Sequence, residues 1–473
     1  VVPVVGVAFY IFTRVQPGTA YISHRVNALI EEEKDYLTPH KDTLYDVYAE
    51  SKQECGFMQY LYKRGKYPVY SNASVKYFPL GEDKFQELLY QLERAEKFIF
   101  LEYFIVDKGI MWNRILRILA RKAREGVEVR FMYDGTCTLS LLPRNYPKRL
   151  EQLGIQCKIF APMRLIYDDF GSLLGLPADF IVRMERAHIR CIPFNPVMPL
   201  LSLVMNHRDH RKIVVIDGTV AYTGGVNLAD EYINRKERFG HWKDTAVMVQ
   251  GEAVNSFTLM FLQLWNINVK EKEDYSKYMQ YTSVIDRGMR NGGYVVPYGD
   301  SPYDDEDVGE KVYLDILNRS QDYVHIMTPY LIIDEEMINA LIFAAQRGVE
   351  VKLILPHIPD KKYAYLLART YYQQLISNGV EIYEYTPGFV HAKVFTCDDE
   401  RAVVGTINLD YRSLYLHFED GVWIYRNQVI YDIKKDFTDT LEYCNPVSLE
   451  FCRGRNIAVR AMQSILRLFA PML

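Results

Sequence analysis

Two histidine–lysine pairs carry the chemistry in this chain. His210 and Lys212 stand in HRKIVVID, and His391 and Lys393 in HAKVFTCD. Asp217 and Asp398 follow five residues beyond each lysine, and a glycine-led segment with an asparagine comes next. These segments are TGGVNLADEY with Gly224, Gly225 and Asn227, and VGTINLDYRS with Gly405, Thr406 and Asn408. One such pair would be an ordinary strand with a hydrogen-bonded histidine; two complete copies point to a site.

Strand alternation puts each His and Lys on one face, with an apolar run behind them. Attack on a phosphodiester needs a nucleophile, a proton donor for the leaving alkoxide and positive charge around the phosphate oxygens. Two imidazoles on opposite sides of phosphorus, two lysines and the carboxamides of Asn227 and Asn408 as substrate-binding groups meet that need. The motif residues His210, Lys212, Asp217, His391, Lys393 and Asp398 form the candidate catalytic set. Alternation places Asp217 and Asp398 off the His/Lys face, so a turn or salt-bridge role is expected of them.

A nucleophilic histidine must be neutral at one ring nitrogen, with a carboxylate fixing the other. Asp244 in HWKDT and Glu419 in HFED are the candidates, each a few tens of residues beyond its own histidine. Glu102 in FLEYF and Glu231 in ADEY are further acidic candidates beside the site, with a surface or salt-bridge role equally open. His188, His207, His241, His325, His357 and His417 lack comparable company and are read as structural or surface residues. His207 and Arg211 flank the first motif. No metal or cofactor is called for, because the acidic residues are too scattered for a two-metal site.

The elements that position these residues are duplicated. AREGVEVR from Ala123 and AQRGVEVK from Ala345 each follow an amphipathic helical stretch and lead into an apolar strand-like run. Upstream lie KFIFLEYFIVD from Lys97 and DYVHIMTPYLIID from Asp322. Each half therefore reads strand, helix, Gly turn, strand, which predicts an α/β fold with parallel crossovers and pseudo-twofold symmetry. The first half carries extra residues before its HxK segment, and RMERAHIRCIPFNP from Arg183 faintly echoes RLEQLGIQCKIFAP from Arg149.

The expected organisation is a transmembrane remnant at 1–13, a linker region at 14–67, a first domain at 68–268, a linker at 269–310, a second domain at 311–445 and an amphipathic segment at 446–473. A chain of 473 residues exceeds what one hydrophobic core usually holds, in keeping with two domains. VVPVVGVAFYIF, Val1 to Phe12, is apolar and precedes Arg14; it suits the tail of a membrane helix with the body on the cytoplasmic side, or else a buried edge element. The net charge of −4 weighs against nucleic acid as a partner. Seven scattered cysteines without CxxC spacing point to a reducing, cytosol-facing location rather than zinc or disulfides.

The duplicated HxKx4D and G-x-x-N pattern resembles the phospholipase D superfamily. The segments FLEYFIVD, NHRDHRKIVVIDG, TGGVNLADEYIN, MTPYLIIDEE, EYTPGFVHAK and NLDYRSLYLHFE resemble its bacterial cardiolipin synthases in particular. NHRDHRK in place of the usual NYRNHRK, and Asp399–Glu400 where a turn Gly is common, are departures that leave both HxK pairs intact. The resemblance implies two phospholipase D-like α/β/α domains behind a membrane-anchoring N-terminal segment. It also implies His210 as nucleophile, His391 as general acid and then base, and no cofactor. Two phosphatidylglycerol molecules, donor and acceptor, would yield cardiolipin and glycerol at a bacterial cell membrane.

Two further stretches favour lipid. FNPVMPLLSLVMN, Phe194 to Asn206, runs into the first motif and is either a core strand or an interfacial guide for acyl chains. RGRNIAVRAMQSILRLFAPML has apolar residues at helical spacing with Arg460 and Arg467 on another side, suiting an anionic membrane or the protein's own core. The rival readings are a hydrolase releasing phosphatidic acid, a nuclease, and a silent membrane scaffold. A nuclease would want a basic groove, and a scaffold should have lost part of an HxK pair. Oligomeric state is left open.

Overall fold

The computed structural model describes residues 23–24, 26–30, 36–135, 137, 141–143, 145–160, 207–267, 273–280, 292–304, 306–454, 466–467 and 470. Val1–Phe12, the stretch 164–182, Arg183, His188 and Phe194–Asn206 lie outside them, as does most of 455–473. Among the described residues no helix is long and apolar enough to cross a membrane.

The first half contributes β1 (Ala73–Phe78), β2 (Phe98–Tyr103), β3 (Glu128–Asp134), β4 (Gln156–Phe160), β5 (Arg208–Asp209), β6 (Lys212–Ile216), β7 (Val220–Gly224), β8 (His241–Lys243) and β9 (Ala246–Gly251). The second contributes β10 (Tyr294–Asp300), β11 (Tyr323–Met327), β12 (Leu331–Ile332), β13 (Glu350–Pro356), β14 (Glu381–Tyr385), β15 (Gly388–Val390), β16 (Val394–Cys397), β17 (Arg401–Gly405), β18 (Leu409–Asp410), β19 (His417–Tyr425) and β20 (Cys444–Pro446).

The first sheet runs β1-β9-β7-β6-β2-β3-β4, and the second runs β10-β19-β17-β16-β11-β13-β14-β20. Strand for strand these are the same order, with β20 added at one edge. Each half contains the expected parallel crossover. Helix Ile110–Arg124 links β2 to its parallel neighbour β3, and helix Glu335–Gln346 links β11 to β13. Both helices end on a glycine in the left-handed region, Gly126 at φ 96° and Gly348 at φ 93°, so the chain reverses into the strand without Cβ strain.

Strand alternation divides the first sheet's side chains. Ile99, Leu101, Val214 and Ile216 face the helices on its outer side. Phe98, Phe100, Ile213 and Val215 share one continuous core with Val295, Val324 and Val403 of the second half. Helix Val254–Asn266 lies in that core with nearly every residue buried. The halves are therefore held by shared apolar packing, which fixes the relative placement of their two motifs.

Two boundaries differ from the sequence-based organisation. The range 269–310 was expected to be a linker, yet β10 lies within it and pairs with β19 as the edge strand of the second sheet. Pro297 and Gly299 in YVVPYGD read as loop residues, but an edge strand tolerates the missing N–H of Pro297. The range 14–67 was likewise expected to be a linker. It holds helices Lys41–Glu50 and Lys52–Lys63, whose Val47, Met58 and Leu61 are fully buried in the common core. Glu54 on the second helix is buried between Arg319 and Arg401, which ties the helix to the second half.

Near the C-terminus, Leu466 packs against the core and Arg467 pairs with Glu335 at 3.1 Å. For these residues the contacts run to the protein's own body.

Candidate active site

The two motifs meet through exchanged strands. β5, just before His210, pairs in parallel with the start of β19, and β15, just before His391, pairs in parallel with β8. The His210 N–H donates to the Phe418 carbonyl at 2.9 Å, and the His391 N–H to that of Lys243 at 2.7 Å. Each histidine is thereby pinned to the opposite half, immediately beside that half's carboxylate.

His210 Nδ1 lies 2.9 Å from both carboxylate oxygens of Glu419. His391 Nδ1 lies 2.7 Å from Asp244 Oδ2. The carboxylates are thus crossed relative to the same-half assignment expected from chain distance: Glu419 serves His210 and Asp244 serves His391. The strand exchange is the physical reason, and no local sequence pattern encodes it. With Nδ1–H donated to a carboxylate, each imidazole keeps an Nε2 lone pair for chemistry.

The halves are not chemically identical. In the first, Gly225 is obligatory, because a Cβ there would sit 2.0 Å from Asp244 Oδ1 and 2.8 Å from the His391 carbonyl. In the second, the corresponding residue is Thr406, whose hydroxyl donates to Glu419. Glu419 is fully buried, and burial alone would push its carboxyl above the usual range. The attraction of His210 and hydrogen bonds from His210 and His417 reverse that, holding it well below the usual carboxylate range.

Burial pushes His210 well below the ordinary histidine value and His391 down to about 4, despite the carboxylate beside each. Both are then neutral at neutral pH, as a nucleophile requires. Lys212 is lowered to about 8 and Lys393 to about 7, again chiefly by burial. Each lysine donates to the carbonyl of its own motif histidine, and Lys393 Nζ also lies 3.0 Å from His391 Nδ1.

Asn227 Oδ1 accepts from the Ile105 N–H and its Nδ2 donates to the Tyr232 hydroxyl, both at 2.9 Å. Asn408 Nδ2 donates to Ser413 Oγ at 2.9 Å, and its Oδ1 is buried without a hydrogen-bond partner. Each amide nitrogen retains a second hydrogen. Tyr232 stands edge-on to the His391 ring at 5.5 Å, and Phe104 edge-on to His210 at 4.9 Å.

Asp217 and Asp398 belong to the scaffold, and their place in the candidate catalytic set is corrected accordingly. Asp217 accepts from the backbone N–H groups of Glu96, Lys97 and Phe98 at 2.7–2.8 Å. Asp398 accepts from those of Gln321, Asp322 and Tyr323 at 2.9–3.0 Å. Both are left-handed, at φ 54° and 53°, in the turn after β6 or β16. Asp217→Ala should lower stability by about 1–3 kcal/mol by stranding these donors, read as a lower midpoint in a denaturant melt.

Glu102 is fully buried and accepts from Arg211 Nε at 2.7 Å, in a cluster with Asp209 and Asp420. Burial raises all three carboxyls, Asp420 to about 6. Glu231 pairs with Arg238 at 3.0 Å. No hydrogen bond or ion pair links either Glu to the motif histidines among the described residues, and Arg211 turns to the acids rather than toward them.

His207 packs edge-on against Tyr303, His241 bonds the Tyr385 hydroxyl, and His325 and His357 pair with Glu350 and Glu384. His417 differs from its structural reading. Its ring centroid is 5.4 Å from that of His210 and its Nδ1 is 3.4 Å from Glu419. Its position two residues before Glu419 on β19 was the available signal. His210, His417 and Glu419 present ligand atoms within 4.8 Å of one another, an arrangement that could hold a metal ion.

Two similar α/β halves with one HxK pair each, joined around crossed His–carboxylate contacts, define the phospholipase D class. A family model described as "Cardiolipin synthase, PLD-like domain" matches residues 313–441. A cardiolipin synthase of Alkalihalophilus pseudofirmus is 32% identical over 412 residues, 87% of this chain and 75% of that protein. An uncharacterized protein of Streptococcus mutans is 47% identical over 471 residues, 100% of this chain and 94% of its own. The fold is similar to that of phosphatidylserine synthase from Haemophilus influenzae, with a TM-score of 0.56 at 14% identity over 84% of this chain and 93% of that one. The chain belongs to the cardiolipin synthase-like family of the phospholipase D superfamily.

Proposed function

We propose that this chain is a cardiolipin synthase. It would transfer the phosphatidyl group of one phosphatidylglycerol to a second through a phosphohistidine, releasing glycerol. The observation that carries the reading is the pair of buried histidines, each with Nδ1 held by a carboxylate from the opposite half and Nε2 left for chemistry.

In the first step His210 Nε2 bonds to phosphorus as the bond to the glycerol oxygen breaks, and His391 gives that oxygen its proton. Burial and Lys393 oppose the imidazolium this demands of His391, and an arriving phosphodiester anion offsets them. In the second step His391 takes the proton of the acceptor hydroxyl as its oxygen bonds phosphorus and the P–N bond breaks. Lys212, Lys393 and the free amide hydrogens of Asn227 and Asn408 would hold the non-bridging oxygens.

Binding of the anion should follow the lysines. Lys393 at about 7 and Lys212 at about 8 are charged below those values and lose charge as pH rises through them. The affinity of His210→Ala protein for a short-chain phosphodiester, measured by calorimetry, should therefore fall about tenfold or more between pH 6 and pH 9. A flat profile would remove the lysines from phosphate binding.

The apolar segment Val1–Phe12 followed by Arg14 supports a place at the bacterial cell membrane with the catalytic halves toward the cytoplasm. The test of function is lipid mass spectrometry after incubation with phosphatidylglycerol micelles in a metal chelator. Cardiolipin and glycerol should appear with the intact protein and not with His210→Ala. Phosphatidic acid alone would make the protein a hydrolase.

A further inference from the structure

The two histidine–carboxylate contacts differ in what stands two residues before the carboxylate. In one half that residue is Trp242, before Asp244, and its ring centroid lies 5.5 Å from that of His391. In the other it is His417, before Glu419, with its ring centroid 5.4 Å from that of His210. The packing role is the same, with interplanar angles of 46° and 43°. An indole N–H offers no lone pair, whereas an imidazole does. His417 therefore brings a coordinating nitrogen to a place where packing alone needs only a ring.

That nitrogen stands close to the carboxylate. His417 Nδ1 is buried, lies 3.4 Å from Glu419 Oε1 and has no well-aligned hydrogen-bond partner. His210 Nδ1 lies 2.9 Å from the same oxygen, and one ligand atom from each of the three side chains falls within 4.8 Å of the others. A tetrahedral zinc ion with bonds of about 2.0–2.1 Å sets its ligand atoms about 3.3 Å apart, so small side-chain shifts close this set on an ion. Two imidazoles with one carboxylate suit zinc, whereas Mg²⁺ and Ca²⁺ take oxygen ligands. The His417 side chain keeps 11% exposure, which leaves the cluster a way in from solvent. Lys212 brings an opposing charge, but its ammonium donates to the His210 carbonyl. In the other half Lys393 Nζ stands 3.0 Å from His391 Nδ1, where an ion would have to bind.

We infer that His210, His417 and Glu419 form an inhibitory site for zinc or a similar divalent transition metal. A neutral imidazole carries one proton, here on His210 Nδ1 beside Glu419. When the metal takes the Nδ1 lone pair, that proton moves to Nε2 and occupies the lone pair that attacks phosphorus. The ring keeps its proton count, yet the nucleophile is lost, and Glu419 exchanges a hydrogen bond for a bond to the metal. Binding stands on the geometry alone, while inhibition rests on the reading of His210 as nucleophile given above.

The experiment uses the full chain in detergent, first stripped with a chelator. In calorimetry, His417→Asn should bind Zn²⁺ about 100-fold or more weakly than the unaltered protein, since even a group that only orients a ligand is worth about 10–100-fold. Nitrogen-15 NMR of the unaltered protein needs no variant to fold: Zn²⁺ should shift His210 and His417 and spare His391. Zn²⁺ should also suppress glycerol release from phosphatidylglycerol about tenfold or more, reversibly with chelator, where equal Mg²⁺ does not. Equal zinc affinity in His417→Asn, or His210 and His417 resonances that do not move, would overturn the site. Zinc seated on these rings with undiminished glycerol release would overturn the inhibition. Absence of glycerol release from the zinc-free protein would overturn the transfer reading and the inhibition with it, while calorimetry and NMR still decide the binding.

Discussion

His210→Ala and His391→Ala should each lower phosphatidyl transfer by about 10⁴-fold or more, and the double variant should be no worse than either single one. Both histidines act in the same displacement, one on phosphorus and one on the leaving oxygen, so removing either disables the step. Each lesion should also lower stability, because each residue is only about 6–7% exposed and its loss leaves the buried Glu419 or Asp244 carboxylate without its partner. Activity within tenfold of the intact protein in either variant would mean that the HxK pairs are not the reacting groups. The readout is initial cardiolipin formation, normalised to folded protein by its thermal melt.

The second large effect concerns the crossed carboxylates. Glu419→Gln should cost about 10³-fold in transfer and should disturb His210, which lies 209 positions away in the chain. Asp244→Asn should cost a similar factor and should disturb His391, 147 positions away. Loss of the carboxylate frees each Nδ1, so the tautomer is no longer held. Nitrogen-15 NMR of histidine-labelled protein would assign each change to its ring. If Glu419→Gln altered His391 and spared His210, the crossed arrangement would be wrong.

That crossing is where reading the sequence stops. The apolar runs in HRKIVVID and HAKVFTCD located β6 and β16, although His210, His391 and Lys393 stand in the short links before these strands rather than on a strand face, and the repeated REGVEV and QRGVEV turns marked both crossovers. Glu419 and Asp244 were legible as the histidine partners, but which partner serves which ring depends on β5 and β15 leaving their own halves. Strand exchange over such chain separations is a tertiary event with no local signature.

The remaining misses have similar causes. β10 was hidden because Pro297 and Gly299 look like loop residues unless the strand is known to be an edge. The helices over Lys41–Lys63 were hidden because their polar faces dominate the composition, although Val47, Met58 and Leu61 are core residues. His417 was passed over because it lacks a lysine two residues on, yet its strand position places it beside Glu419. The three-carboxyl cluster around Arg211 draws Glu102, Asp209 and Asp420 from separate strands and could not be assembled from spacing alone.

The most direct test is to trap the covalent intermediate. The protein would be mixed with phosphatidylglycerol, quenched with base to preserve a phosphoramidate, digested and analysed by peptide mass spectrometry. A phosphatidyl adduct on the peptide containing His210, absent in His210→Ala, is the predicted result. An adduct on His391 instead, or turnover with no histidine adduct, would contradict the assignment of His210 as the nucleophile.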